Sequence, residues 1–469
     1  MLQSRPRILV FCRPYLVQDF RANFEPLAAE YDFFLLTDGK GDGDGDTREA
    51  FYRHYKRQDE TELLTAPELD DIVVRCRLLR NLNPAEARRR ALAMTAAVGE
   101  WYARTQPALT ISHAVDDYVT HILSLLARKR GIMYLAYNYS YFPGYAQALS
   151  YDDGRPFIGR RVDGDESRRV STTIGNKRFR QNYGQSAGAY PFSRHLFQVL
   201  RYYVKRVVFT YRGIRDRDPL HLHYEVTKYI AERRNPFNFA ASDTFATNWR
   251  ERLAEKDHGL KAIYVPLGFF PESTIDYWTK NISIIDYERK IIEIAKSLGQ
   301  NYLLLVKEHP HMTGIRPVKF YDELRALKNV VLIGPYEYSA EVLGFSDAVL
   351  IGGGSGGVEA TLADLPVFSY CDTIYWYRPS KAFFLDLDRI EDWSRAISEG
   401  ISQFRPLDAE QKRAFVAKCL GSTLAVRPGG KRWPLTEVDQ TRAFIDRAVK
   451  LGSAATGPLL DSEPDLQVP

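Results

Sequence analysis

The sequence predicts an α/β protein with two doubly wound, Rossmann-like domains joined by a helical connecting region. Short apolar runs typical of buried strands alternate with amphipathic stretches of helical length, first over residues 7–150 and again after residue 260. A polar and basic stretch between them breaks this alternation. The 469 residues are enough for two or three domains, and 45 % hydrophobic residues can fill their cores.

The first domain, residues 1–150, opens directly with a βαβ unit. The predicted strands are Arg7–Phe11, Phe33–Thr37, Ala108–Ser112 and Met133–Tyr137, and the predicted helices are Asp19–Tyr31, Pro84–Arg104 and Tyr118–Arg130. The glycine- and aspartate-rich loop 38–46 lacks the residue order of a calcium loop, so we expect an acidic turn there.

The connecting region, residues 151–257, is basic and largely helical. It holds a segment from Phe192 to Phe209 that mixes aromatic and aliphatic residues with arginine and lysine. Such a pattern fits an interfacial helix on an anionic membrane surface. It also fits a partly buried helix between domains whose arginines extend to solvent, and we favour this second interpretation.

The second domain, residues 258–385, returns to regular alternation. The predicted strands are Ala262–Pro266, Tyr302–Val306, Val330–Ile333, Ala348–Ile351 and Val367–Tyr370, and the predicted helices are Asp286–Leu298, Phe320–Leu327, Ser339–Phe345 and Gly357–Ala363. Residues 386–451 predict helices near Arg389–Gln403, Ala409–Leu420 and Thr436–Leu451, and we expect the tail 452–469 to be disordered.

Composition limits the class of protein. The chain has 64 Lys plus Arg against 59 Asp plus Glu, a balance too mild for a dedicated nucleic-acid binder but compatible with anionic substrates or lipid surfaces. The four cysteines lie far apart without a CxxC spacing, so we predict reduced thiols and no zinc site. Because the sequence shows no apolar signal region or spanning segment, we expect a cytoplasmic protein.

Two motifs follow strands of the second domain at their carboxyl ends, where open α/β sheets bind ligands. Lys307, Glu308, His309, Pro310 and His311 come after the strand Tyr302–Val306. About forty residues later, a glycine and serine turn at 352–357 follows Ala348–Ile351 and starts a helix. Backbone amides at such a turn can hold an anion, so the two motifs predict a pocket for a phosphate-bearing, nucleotide-linked donor.

Three segments carry a family resemblance: Tyr264 to Thr274, the Lys307 to Pro310 box, and Gly353 to Ala360 followed by Leu365 to Val367. They resemble, in this order, the capsule polysaccharide biosynthesis family of bacterial surface-carbohydrate glycosyltransferases, which includes Kdo transferases. The resemblance covers about Ala262 to Tyr377 and implies a GT-B architecture, in which two Rossmann-like domains face a cleft. Many relatives carry His and Gln where Gly268 and Phe270 stand, so donor preference does not transfer.

The resemblance implies a role for each matched residue. His309 and Pro310 would shape the wall around the nucleotide phosphate, with His309 stabilising the leaving phosphate and Lys307 adding positive charge. Gly353, Gly354, Ser355, Gly356 and Gly357 would present amides and a hydroxyl to the phosphate, while Glu359 and Glu272 would accept hydrogen bonds from the nucleoside. No metal or cofactor is needed for this chemistry. In the alternative, the glycines only form a tight turn, and Glu359 only complements the helix dipole.

A general base would come from the opposite domain. His113, Asp116 and Asp117 follow the strand Ala108–Ser112 and are the candidates. Each aspartate could instead cap the helix that begins near Tyr118. A retaining reaction would need no such base.

These observations predict a cytoplasmic glycosyltransferase, with peripheral association with the inner membrane left open. It would move a sugar from a nucleotide-sugar donor, CMP-Kdo or a related CMP-sugar being favoured, to a glycan or lipid-linked glycan acceptor. We expect no nucleic-acid partner. One alternative is a phosphotransferase that uses CDP-glycerol or CDP-ribitol. Another is a non-catalytic GT-B module that binds glycan.

Overall fold

A computed structural model of the chain describes residues 5–58, 61–140, 142–175, 192–220, 222, 238, 245, 248–256, 260–269, 273–312, 314–371 and 382–454. Its helices are α1 Val17–Phe24, α2 Arg48–Arg57, α3 Ala66–Arg75, α4 Pro84–Thr105, α5 Tyr118–Lys129, α6 Gly164–Ile174, α7 Phe192–Arg215, α8 Trp249–Lys256, α9 Ser273–Asp276, α10 Tyr287–Leu298, α11 Val318–Arg325, α12 Ser339–Leu343, α13 Gly356–Leu362, α14 Trp393–Gln403, α15 Ala409–Leu420 and α16 Val438–Ala454. The predicted disordered tail lies outside the described residues from position 455 onward.

The first sheet has eight strands in the order β14-β13-β6-β5-β4-β1-β2-β3. Its strands are β1 Arg7–Phe11, β2 Asp32–Thr37, β3 Gly45–Asp46, β4 Leu109–His113, β5 Met133–Tyr139, β6 Tyr145–Ser150, β13 Thr423–Arg427 and β14 Leu435–Thr436. The strands from β5 to β3 run parallel, whereas β6, β13 and β14 join through antiparallel pairs.

The second sheet is parallel throughout, in the order β12-β11-β10-β7-β8-β9. Its strands are β7 Ala262–Pro266, β8 Leu303–Lys307, β9 Val330–Ile333, β10 Ala348–Ile351, β11 Val367–Ser369 and β12 Ala382–Phe384. Alternate residues enter two different apolar cores: Ile263 and Val265 lie in one, and Ala262 and Tyr264 in the other. Both faces are therefore covered, which explains why these strands are continuously apolar.

The predicted α/β class with two doubly wound, largely parallel sheets is confirmed, and the differences are local. The structure adds β3, β6, β12, β13 and β14, which the sequence pattern did not predict. The strand β3 lies within the loop 38–46, where we expected an acidic turn. All six residues of β6 are buried, so it lacks the alternation that marks a half-exposed strand. The first predicted helix ends early at Phe24, because Pro26 follows and the chain continues as the short 3₁₀ helix Glu25–Leu27. The predicted domain boundaries remain a prediction.

The last predicted helix also differs at both ends. It begins at Val438 rather than Thr436, because β14 occupies Leu435–Thr436, and it continues to Ala454. Residues 386–451 are thus not only helical, since β13 and β14 return to the edge of the first sheet. The C-terminal segment therefore packs on both halves: Phe415 of α15 lies in a core of the second sheet, and Phe444 of α16 in a core of the first.

The carboxyl edges of the two sheets meet through arginines of the first half. The Arg77 guanidinium donates a hydrogen bond to the backbone carbonyl of Asp116, which follows β4, and lies 3.7 Å from the carboxylate of Asp276 after β7. Arg80 donates to the same carboxylate at 3.0 Å, and Arg75 donates to the carbonyls of Asp276 and Thr279. These contacts join the carboxyl edges of the two sheets.

Candidate functional site

A cavity of about 210 Å³ lies at the carboxyl edge of the second sheet. Four consecutive strand ends of the sheet contribute to its wall, together with the start of α13. The lining includes eight residues that the sequence predicted, namely Lys307, His309, Pro310, Gly353, Gly354, Ser355, Gly356 and Glu359. The two separate sequence motifs follow β8 and β10, which lie on either side of β7 in the parallel sheet, and the cavity brings them together as expected from their shared carboxyl edge.

His309 lies in this wall with a defined hydrogen-bonding state. Its Nδ1 accepts a hydrogen bond of 3.2 Å from the backbone amide of His311. Burial lowers the pKa of His309 well below its ordinary value, and His311, Lys307 and Arg316 lower it further. The imidazole is therefore neutral at pH 7, and the proton of this tautomer lies on Nε2. His309 offers a hydrogen-bond donor rather than the positive charge that a cationic histidine would supply.

Aromatic rings hold His309 in place. The rings of His309 and His311 are stacked with centroids 5.3 Å apart, and Phe269 lies 5.7 Å from His309 and 5.9 Å from His311. Both Phe269 and His311 belong to the cavity wall. His311, which we did not assign a role from sequence, thus positions His309 by its amide and by its ring.

A buried ion pair, in which Glu308 is itself part of the cavity wall, fixes the ends of β7 and β8, and sequence reasoning missed it. Glu308 Oε2 accepts hydrogen bonds from Arg316 Nε at 2.8 Å and from the Tyr321 hydroxyl at 2.5 Å, while Oε1 accepts the His309 amide at 2.5 Å. Arg316 also donates to the carbonyl of Gly268. A glutamate between Lys307 and His309 at the end of a fully apolar strand was the available signal, because a buried carboxylate needs a cationic partner.

Lys307 is the last residue of β8 rather than the first residue of the loop. It pairs with Pro266 and Ile333 in the sheet and is 7 % exposed. Its Nζ donates a hydrogen bond of 3.3 Å to the carbonyl of Pro335, which also lines the cavity. The ammonium group is therefore held at the wall, where it contributes positive charge to any bound anion.

The glycine turn has two different parts. A Cβ atom at Gly352 or Gly353 would come within 3.4 Å of Tyr370 or Thr274, so these two glycines allow close packing. At Gly354 a Cβ atom would meet nothing within 4 Å, and this exposed residue opens onto the cavity. None of the described glycines at 352–357 has a positive φ, so the turn needs glycine for space and not for backbone conformation.

The other predicted donor-site residues are placed differently. Gly357 is buried within α13, where its amide faces the Gly354 carbonyl at 3.4 Å, and it does not line the cavity. Glu359 lines the cavity from the first turn of α13 and lies near Tyr264, whose hydroxyl donates to Ser339 Oγ at 3.3 Å. Glu272 lies outside the described residues.

The predicted base candidates belong to a separate cluster at the carboxyl edge of the first sheet. The buried Arg13 guanidinium contacts three carboxylates: Asp38, Asp116 at 3.3 Å and Asp117 at 2.7 Å. Arg13 was not predicted from sequence. Asp117 is also the N-cap of α5, since Oδ1 accepts a hydrogen bond of 2.9 Å from the Thr120 amide. Its carboxylate therefore already has two structural roles.

The sequence predicted His113 in the loop after the strand. In the structure it is the last residue of β4. Its Nε2 lies 3.2 Å from Asp116 Oδ1. Burial raises the pKa of Asp116, but His113, Arg13 and Arg77 outweigh this and lower it well below the ordinary value. A carboxylate with so low a pKa takes up a proton poorly, which disfavours Asp116 as a general base. Catalytic roles for the three residues remain a prediction.

Across the described ranges, no group of three or more His, Cys, Asp or Glu side chains could hold a metal ion. Nor is any helix within these ranges long and apolar enough to cross a membrane.

Comparison with known proteins gives structural likenesses only. No protein family matches the sequence, and no curated protein matches it. A UDP-GlcNAc 2-epimerase from Neisseria meningitidis is similar at 13 % identity over 88 % of this chain and 97 % of that chain, with a TM-score of 0.29. Two KpsC structures from Thermosulfurimonas dismutans are also similar. The β-Kdo 2,4 transferase covers 73 % of this chain and 87 % of its own at 10 % identity and TM-score 0.38. The match to the β-Kdo 2,7 transferase covers 95 % of this chain and 99 % of that chain, at 11 % identity and a TM-score of 0.36.

Proposed function

We propose that the protein is a glycosyltransferase that transfers a sugar from a nucleotide-activated donor, preferably a CMP-sugar such as CMP-Kdo, to a capsule or lipopolysaccharide-type glycan. One observation carries the proposal. A neutral, oriented imidazole, a wall-held ammonium and an open glycine turn all line one cavity at the carboxyl edge of a parallel sheet. This combination suits a phosphate whose negative charge grows as its bond to the sugar breaks.

The volume favours a compact group at the reacting centre. About 210 Å³ is less than the roughly 300–1,000 Å³ of typical small-molecule sites, so this cavity accommodates only part of a nucleotide sugar. We assign the phosphate and the adjoining sugar carbon to it. The rest of the donor would extend toward the contacts around Asp276, where the first half of the chain lies opposite.

In the proposed reaction, an acceptor hydroxyl oxygen bonds to the anomeric carbon of the donor. The bond from that carbon to the phosphate oxygen breaks, and its electron pair stays on the phosphate. His309 would donate its Nε2 proton as a hydrogen bond to this oxygen, and Lys307 would stabilise the same charge. In an inverting reaction, the acceptor proton would pass to the His113–Asp116 pair across the cleft.

A nucleotide screen tests the proposal. We expect CMP to raise the melting temperature of the wild type more than UDP, GDP or dTDP does, and to have little effect on Lys307→Met. Purified enzyme is then incubated with radiolabelled CMP-Kdo and, separately, with CDP-glycerol. Label transfer to glycan from CMP-Kdo supports the proposal. Transfer of glycerol phosphate instead identifies the CDP-alditol phosphotransferase, and no thermal shift with any nucleotide supports the non-catalytic module.

A further inference from the structure

The helix α7, Phe192–Arg215, carries a continuous apolar stripe on its solvent side. Nine of the sixteen exposed large apolar side chains in the described part of the chain lie on this one helix. They are Leu196, Phe197, Leu200, Tyr203, Val204, Val207, Val208, Tyr211 and Ile214. Six of them follow spacings of three and four residues in alternation, from Phe197 to Ile214, so they share one face. We call these nine residues the apolar stripe.

The opposite face of α7 rests on the protein. His195, Val199 and Tyr202 are buried, with 0 %, 6 % and 7 % exposure. His195 packs on Gly314, whose φ of +75° and lack of a side chain allow the approach: a Cβ atom there would come within 2.3 Å of the imidazole. Because one face is already seated, the apolar stripe is not the surface by which α7 joins the fold. The favoured sequence interpretation, a partly buried helix that connects the domains, describes this seated face but does not account for the exposed apolar stripe.

The charges of α7 are all of one sign. Within Phe192–Arg215 there is no Asp or Glu, and the six basic residues are all exposed: Arg194, Arg201, Lys205, Arg206, Arg212 and Arg215. An apolar stripe flanked by basic residues suits the boundary between acyl chains and anionic headgroups. A second copy of the helix fits poorly, since six positive charges would face six more without one carboxylate in either helix.

We propose that α7 docks the protein on an anionic lipid bilayer, with the apolar stripe inserted among the acyl chains and the basic residues at the headgroups. The docked helix would lie flat, because 24 residues with six charges do not span a bilayer. The contact between α7 and the rest of the protein lies close to the cavity. Gly314 lies in the loop between His311 and Arg316, so the docked helix bears directly on the loop that positions His309.

Vesicle sedimentation with the full chain tests the docking. The wild type is expected to sediment with vesicles of one part phosphatidylglycerol to three parts phosphatidylcholine at low ionic strength, to be released by salt, and to ignore pure phosphatidylcholine. The basic variant replaces four residues with glutamine: Arg201, Lys205, Arg206 and Arg212. Partitioning should fall roughly 600-fold, since each of the four basic residues contributes about fivefold. Its matched control changes four exposed basic residues elsewhere, Arg168, Lys319, Arg389 and Arg395, and should bind like the wild type.

A second variant separates insertion from simple attraction of charge. Val204, Val207 and Ile214 become serine, and the matched control makes the same change at Val74, Val426 and Ile282, which are 40 %, 49 % and 43 % exposed elsewhere on the surface. The stripe variant should lose vesicle binding while the control keeps it. Both should melt like the wild type, because only exposed side chains change.

A label reports the insertion directly. The four native cysteines are buried, so Val207→Cys can be labelled selectively with an environment-sensitive fluorophore. Emission should shift to the blue on anionic vesicles for this position and not for a label at Val426→Cys. The proposal is overturned if the wild type does not sediment, if the stripe variant sediments equally well, or if the Val207 label stays in water. It is also overturned if the wild type is a dimer that the stripe variant converts to monomers.

Discussion

The carboxyl edges of the two sheets use charged residues in opposite ways. At the first edge, Arg13 forms ion pairs with Asp38, Asp116 and Asp117, so its positive charge is neutralised inside the protein. At the second edge, the carboxylate of Glu308 is part of the cavity wall and is paired with the buried Arg316. The wall itself presents a neutral imidazole, one ammonium and the open turn at Gly354. Two sheets of similar topology thus differ at this edge: the first holds a cluster of ion pairs around Arg13, and the second lines a cavity.

The difference shows what identifies a ligand site in such a fold. Both edges have polar residues after parallel strands, which is the usual sequence signal. The second edge combines those residues with a cavity and with hydrogen-bond donors oriented by neighbouring contacts. A cluster of carboxylates that neutralises an internal arginine stabilises the fold but leaves little capacity for a ligand.

The largest expected effect tests whether the first edge is structural. Arg13→Met leaves three carboxylates without their cation, two of them almost fully buried, and should lower the free energy of unfolding by about 3–5 kcal/mol. Arg21→Met is the control, because Arg21 and Asp44 form an exposed pair that should contribute under about 1 kcal/mol. Urea unfolding measures both. Equal losses in the two variants would mean that the Arg13 cluster is not a structural centre.

The next effect tests the second edge. His309→Ala removes the oriented donor and should cost about 3 kcal/mol of transition-state stabilisation, roughly a hundredfold in kcat/KM for donor transfer. The melting temperature should not change, since His309 lines a cavity. His54→Ala, which removes an imidazole paired with Glu100 on the far helix α2, serves as the control. A His309→Ala enzyme with wild-type turnover would exclude this role.

A smaller loss is expected at the glycine turn. A Cβ atom at Gly354 would meet no protein atom within 4 Å, and the φ of this residue is not positive. The fold of Gly354→Val should therefore persist, while the branched side chain occupies the space before the backbone amides. Nucleotide affinity should fall about tenfold, or 1.4 kcal/mol, in titration calorimetry. The control is Gly164→Val, a position that is equally free of contacts at the start of α6. Unchanged affinity would make the turn only structural.

Acid unfolding sharpens the description of the first edge. The pKa of Asp116 is depressed in the folded protein, so the unfolded state binds a proton first as the pH falls. Asp116 therefore stabilises the fold at neutral pH, and this contribution is lost as the pH falls below about 4. Asp116→Asn should be less stable than the wild type at pH 7, and the gap should narrow toward pH 2. Asp70→Asn, at an exposed carboxylate, should show no comparable gap.

The smallest effect concerns the second edge, where the protonation state of His309 is expected to stay constant with pH. Because the pKa of His309 is depressed well below 6.5, its ring should stay neutral from pH 8 to pH 6.5, with the proton on Nε2. Nitrogen-15 NMR of the imidazoles, with His309→Gln to assign the signal, measures this directly. A signal that titrates near pH 6.5 would show a cationic histidine, and the wall would then provide charge rather than an oriented donor.

The sequence by itself determined the alternation of strands and helices and the position of the two motifs. Four strands, including β7 and β10, have the predicted bounds, because a strand covered on both faces must be apolar along its length. Since parallel strands end at one edge, the same pattern predicted that Lys307 and Gly354 would lie together. This information is local, carried by a few neighbouring residues.

Only the tertiary structure decided which charged groups form ion pairs inside the protein and which apolar groups are buried. Arg13 meets Asp117 at a separation of 104 residues, and Arg80 meets Asp276 at 196, so no local pattern predicts either pair. The strand β13 likewise pairs with β6, which is distant in the sequence. The exposure of α7 was undecided for the same reason. An amphipathic helix needs an apolar partner, and the sequence does not say whether the fold supplies it.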